Sequence, residues 1–81
     1  MSLEIKIGRL KRMASGYWGI VYEDGLYDEI HSGDTFDLEI PGSRAMAQTR
    51  IEYHHGQRRF YSVDGFILKE GARASFRGMR F

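Results

Sequence analysis

Apolar and polar residues alternate with a period of two along most of this chain, the pattern of strands that bury one face. Leu3, Ile5 and Ile7 alternate with Ser2, Glu4 and Lys6, which predicts a half-buried first strand, and Gly8 then marks a bend or bulge. Residues 11–16 read as a polar connection. Tyr17-Trp18-Gly19-Ile20-Val21-Tyr22 reads as a strand because aromatic and β-branched residues dominate it. Glu23-Asp24-Gly25 is a turn, since Asp-Gly accepts the positive φ of a tight hairpin, and residues 26–30 follow as a short acidic edge strand. After the turn chemistry of His31-Ser32-Gly33-Asp34, residues 35–40 alternate without fault. Phe36, Leu38 and Ile40 are expected to face the core, with Thr35, Asp37 and Glu39 outward. Pro41-Gly42-Ser43 ends that strand because proline has no N–H to give a ladder.

Residues 49–53, 58–63, 66–68 and 72–76 are the remaining candidate strands, separated by turns at 54–57, 64–65 and 69–71. Residues 77–81 either continue the last strand or fray. Residues 11–16, 44–48 and 69–75 have room for a helical turn, but none has the length or period of a full helix. Short strands at this spacing predict an all-β fold: a small antiparallel barrel of five to six short strands, SH3-like, with an OB-like barrel as the alternative. Closing the sheet would also remove its adhesive edges. The 81 residues are expected to form one domain over 1–81.

Composition narrows the class. With 42% hydrophobic and 14% aromatic residues the chain can build a core, and it lies far from a disordered composition. No apolar run is long enough to cross a bilayer, so no membrane partner is expected. The absence of cysteine excludes disulfides, thiol nucleophiles and thiolate metal sites. The first six residues lack the apolar stretch of a signal peptide, which makes the cytoplasm the expected location.

The net charge of +1 conceals an uneven layout. Residues 23–39 carry seven acids and no Lys or Arg; four cations against Glu4 precede them, and eight cations against three acids follow. Opposite charges paired across neighbouring strands would explain such a layout. A basic face that meets an anionic partner would explain it too. Arg outnumbers Lys, and its planar fork suits carboxylate, phosphate and aromatic faces.

Residues 30–40 (Ile-His-Ser-Gly-Asp-Thr-Phe-Asp-Leu-Glu-Ile) and Thr49-Arg50-Ile51-Glu52-Tyr53 resemble a small bacterial family, the domain of unknown function 5348 family, found among accessory genes of conjugative and phage-like elements. The shared pattern is a histidine and Gly-Asp turn, an alternating strand, the Thr-Arg-Ile-Glu-Tyr strand, and an aromatic pair, here Phe60-Tyr61. The resemblance covers residues 22–76. Ser32 stands where a cysteine is common in that family, so any thiol role is lost, and residues 45–48 lack the tryptophan expected before Thr-Arg-Ile-Glu. The family carries no assigned activity. The resemblance therefore implies a setting, a compact mobile-element accessory protein, and no catalytic residues.

Residue chemistry argues for binding over catalysis. Zinc needs three or four convergent ligands; His54 and His55 are adjacent and diverge, and His31 lies in another turn. No metal and no cofactor is expected. Ser32 beside His31 and Asp34 lacks the directed base and oxyanion donors that nucleophilic catalysis requires, and Asp34 is expected to bond amides of its own turn. No phosphate-cradling glycine loop occurs. The protein is not expected to be an enzyme.

Interleaved arginine and aromatic residues are the strongest functional feature. If Ile51 and Tyr53 point inward, Arg50 and Glu52 lie outside, and Arg59 and Tyr61 share one face while Arg58 and Phe60 share the other. The candidate partner-binding residues are Arg50, Arg58, Arg59, Tyr61, Tyr17, Trp18, Lys11 and Arg12. The competing structural expectation pairs Arg59 with Glu52 or the acidic strand and buries Tyr61. The leading functional reading is a non-enzymatic module that binds a protein partner through an Arg- and aromatic-bearing sheet face. The alternative is nucleic-acid binding, for which Lys11, Arg12, Arg50, Arg58 and Arg59 would gather in one patch with an exposed Tyr or Trp. A third reading is a homo-oligomer that sequesters a small ligand such as a nucleotide between subunits.

Overall fold

Seven strands carry the alternation in the computed structural model, which describes residues 6–76: β1 (Gly8–Arg12), β2 (Trp18–Val21), β3 (Tyr27–Ile30), β4 (Thr35–Glu39), β5 (Met46–His54), β6 (Arg59–Ser62) and β7 (Arg73–Ser75). They form one sheet in the order β3-β2-β1-β7-β4-β5-β6, and every neighbouring pair is antiparallel. No helix occurs among the described residues. The all-β expectation holds, but the closed barrel does not. β3 and β6 end the sheet, and no backbone ladder joins them among the described residues. Side chains bring the two ends together instead. The Tyr17 ring lies 4.5 Å from His31 and 5.6 Å from Phe60, centroid to centroid. A ring standing in that seam holds the backbones beyond the ~4.8 Å spacing a ladder needs.

Several predicted elements shift. The first described strand is Gly8–Arg12, where a bend and a polar connection were expected; residues 2–5 of the predicted first strand lie outside the described residues, and Lys6 and Ile7 are not in a strand. Pairing on both sides, with β2 and with β7, overrides the polar composition. Residues 66–68 form no strand, because this segment leaves the sheet's edge for β7 at its middle and meets no ladder partner. Phe66 and Leu68 still pack on the core while Ile67 is 73% exposed, so the alternation survives without the strand. The possible continuation at residues 77–81 lies outside the described residues.

Leu10, Trp18, Ile20, Tyr22, Ile30, Phe36, Leu38, Ile51 and Ala74 form one core drawn from both halves of the sheet, which therefore curls around it. Phe36 and Leu38 face inward as expected, whereas Ile40 is only half-buried and lies beyond β4. Asp37 keeps its outward register opposite Gln48 and Ser75 yet is buried, contrary to the exposed position its alternation implied. Inside the sheet the Thr49 and Ser62 hydroxyls, both buried, hydrogen-bond each other at 2.6 Å. Each satisfies the other, and the Ser62 oxygen also accepts the Asp64 N–H at 3.3 Å. Of the four ion pairs among the described residues, one joins neighbouring strands: Arg73 of β7 with Glu39 of β4 at 3.7 Å, one step beyond the Leu38–Ala74 pair.

Tyr22 closes the end of the core and donates its hydroxyl to Asp28 Oδ2 at 2.6 Å. Burial first, then this bond and the Asp28 charge, push the phenol above its ordinary range. The neutral ring is thus favoured by folding, and its contribution is complete below the unfolded phenol's pKa of about 10 and is lost as pH rises beyond it. We expect Tyr22→Phe to cost about 0.5–1.5 kcal/mol at neutral pH and to flatten the alkaline fall in stability, read by urea unfolding at stepped pH.

Candidate functional site

The hairpin of β5 and β6 sets out the candidate residues by register. Glu52 faces Tyr61 and His54 faces Arg59 across the pair, all on the outer face; Phe60 and Ser62 turn inward. The Val63 N–H donates to the Arg50 carbonyl at 3.0 Å, and this bond fixes the phase of the ladder. Hydrogen-bonded and non-hydrogen-bonded pairs alternate along an antiparallel ladder, so Arg59 and Tyr61 bond toward β5 while the backbone groups of Phe60 and Ser62 point away from it. The Ser62 carbonyl accepts from the Gly65 N–H at 3.0 Å. The Phe60 N–H, the Phe60 carbonyl and the Ser62 N–H meet no partner among the described residues. β6 is an open edge.

A groove of about 460 Å³ runs along that edge and is lined by Arg59, Phe60, Tyr61 and Ser62, from both faces of β6. Arg12 and Trp18 from the other half of the sheet share it, with Phe66 and Leu68. An adjoining cleft of about 340 Å³ adds Arg58, Tyr53 and Gly16 around the same Arg12, Arg59 and Phe60. A third, of about 490 Å³, is lined by Tyr17, Tyr53, His55, Phe60, Ser15 and Ser32. Phe60 borders all three, which together make up the trough at the seam of the sheet.

Three of the five candidate cations meet there. Arg12, Arg58 and Arg59 line the trough, and no carboxylate among the described residues forms an ion pair with any of them. The Arg12 guanidinium lies 5.5 Å from the Trp18 ring centroid, and its backbone N–H donates to Glu70 Oε1 at 3.0 Å. Lys11 is exposed on the opposite face of β1, across from Gly19. Arg50 is held by Glu52 at 2.9 Å, an ion pair along one strand, so Glu52 is already engaged and Arg59 is not its partner. Tyr61 is not buried: it is exposed on the outer face. Tyr17 is exposed, while Trp18 is a core residue whose ring borders the groove.

Arg58 has φ 53°, the only positive φ outside glycine among the described residues. That region costs an L-residue roughly 1–2 kcal/mol, so the turn between β5 and β6 holds an arginine where glycine is easier. Sequence reasoning missed this, as it missed the ring cluster. Tyr53 packs edge-on against Phe60 at 4.9 Å and against His55 at 5.1 Å, and Tyr17 reaches Phe60 from the loop before β2. These rings come from three separate stretches. The adjacent Phe60-Tyr61 and the glycine-flanked Tyr17 were the only local hints.

The histidines and the local Ser-His-Asp group have other engagements. His31 Nε2 lies 2.7 Å from Glu29 Oε1, and His54 Nδ1 accepts from the Gln57 N–H at 3.0 Å. Hydrogen bonds from His31 and Ser15 hold the Glu29 carboxyl below the usual range. Asp34 Oδ2 accepts the His31 N–H at 2.9 Å and closes its own turn, as expected of an Asx residue. No group of three His, Asp or Glu side chains placed to hold a metal occurs among the described residues, and no helix there is long and apolar enough to cross a membrane.

Comparison with protein families matches residues 8–76 to the domain of unknown function family DUF5348, and the chain belongs to that family. No curated protein and no solved structure matches it.

Proposed function

We propose that this DUF5348 protein is a non-enzymatic recognition module that holds a protein partner in the trough along β6, in the setting its family resemblance implies, a mobile-element accessory protein acting in the cytoplasm. One observation carries the reading: Arg12, Arg58 and Arg59 converge beside Trp18, Phe60 and Tyr61, and no carboxylate of the described chain neutralises them. Arginine and aromatic side chains around a partly apolar groove are the residues that dominate protein-binding hot spots. Ion pairs with a partner's carboxylates would satisfy the guanidinium groups, and the ring faces would take its apolar side chains.

The same three cations support nucleic-acid binding as a second reading. Three phosphate contacts to a single strand would give affinity falling with salt at a log–log slope of about −2. Lys11 and Arg50, which that reading needed in the patch, lie elsewhere.

Arg58→Gly separates binding from folding. Relief of the positive φ is expected to leave stability unchanged or raise it by up to about 1 kcal/mol, while partner capture falls about tenfold or more. The measurement is affinity capture from host lysate, with and without nuclease, using wild type, Arg58→Gly and Arg12→Ala. A protein retained through nuclease treatment and lost from both variants supports the reading. A catch that vanishes with nuclease transfers the site to nucleic acid.

A further inference from the structure

Resting on that reading, we infer how the partner is held: an extended acidic segment of it adds to the sheet as a new strand along the open edge of β6. The edge presents the Phe60 N–H and the Phe60 carbonyl, one donor and one acceptor with no partner among the described residues, on a half-buried residue; Ser62, at the end of the strand, is covered. An unpaired edge is a template for another strand, and main-chain bonds to such an edge supply affinity while side-chain pockets supply specificity. The groove lies directly on these groups, since every residue of β6 lines it.

The two faces of β6 dictate the side chains of the added strand. A strand's side chains alternate between faces. Those on the inner face meet Phe60, Trp18, Phe66 and Leu68, an apolar lining. Those on the outer face meet Arg59 and Tyr61, with Arg58 at the turn. The occupant therefore alternates apolar and acidic residues. A nucleic acid fits this edge less well: phosphate oxygens accept hydrogen bonds but leave the Phe60 carbonyl unanswered, whereas a peptide residue offers both an N–H and a carbonyl to Phe60. The opposite edge of the sheet, β3, has the wrong charge for such a segment. It carries Asp28 and Glu29.

The test uses the full chain, isotope-labelled, with backbone amide hydrogen exchange read by NMR. The probe is a capped peptide of alternating Glu and Val; controls are an alternating Lys and Val peptide and oligothymidylate. The Glu–Val peptide is expected to slow exchange at the Phe60 amide about tenfold or more, and the Lys–Val peptide to do nothing. Arg58→Gly and Arg59→Gln should each weaken the effect several-fold, with unfolding midpoints close to wild type. Absence of Glu–Val binding overturns the inference; the edge arginines then act as guards against strand pairing. Arginine-dependent binding without protection at Phe60 removes strand addition but leaves protein recognition standing. Binding of oligothymidylate in place of the peptide removes both.

Discussion

Phe36→Ala is expected to lower the unfolding free energy by about 3–5 kcal/mol, the usual cost of emptying a buried phenylalanine site. Phe36 is 1% exposed, sits at the centre of β4 and belongs to the single core that both halves of the sheet share. Its strand pairs with β5 on one side and β7 on the other, so neither neighbour can close on the void without disturbing a ladder. A domain of this size holds roughly 4–12 kcal/mol in total, so the substitution removes about a quarter of that or more. Thermal unfolding should fall by well over 10 °C, at about 4–8 °C per kcal/mol. Urea unfolding of Phe36→Ala beside Thr35→Ala, its outward neighbour, checks the claim. Similar midpoints for the two would mean that Phe36 does not anchor the core.

Gly8→Ala should follow, at about 1–3 kcal/mol, although it adds only a methyl group. A Cβ at Gly8 would stand 2.5 Å from the Val21 carbonyl oxygen and 2.8 Å from Ile20 Cγ2. The first of these atoms belongs to the β2 backbone and is held by the ladder, so it cannot yield as a side chain would. Backbone freedom is not the reason here, because Gly8 has no positive φ, unlike Gly25 and Gly42 in their turns. The midpoint of urea unfolding should shift while its slope stays constant. An unshifted midpoint would show that β1 moves away from β2 at little cost.

Gly8 also illustrates where reading a chain along its length stops. Its interruption of the Leu3–Ile7 alternation reads as a bend or bulge, yet Gly8 opens a strand, because it pairs with Ala74 of β7 and β2 stands at contact distance on the other side. Phe36, Leu38 and Ile51 were legible as core residues from period-two alternation alone. The hairpin of Arg50 and Glu52 against Arg59 and Tyr61 was legible for the same reason, since side-chain direction follows from register once two strands and a turn are recognised. Arg59 left unpaired was not legible. It depends on Glu52 choosing Arg50 two residues along its own strand instead of a cation across the hairpin.

Local order thus followed from residue chemistry. Most of the strands, their inward and outward faces, and turns such as Asp24-Gly25 and Gly33-Asp34 depend on interactions over a few residues, which a linear reading can count; β1 and the segment 66–68 were decided by distant pairing. The insertion of β7 between β1 and β4 and the meeting of Arg12 with Arg58 and Arg59 join positions 36 to 66 residues apart. Contacts of that range are selected by which arrangement of the whole chain buries the most apolar surface and leaves the fewest backbone groups unbonded. That selection acts on the folded chain as a unit, and no short window of residues contains it.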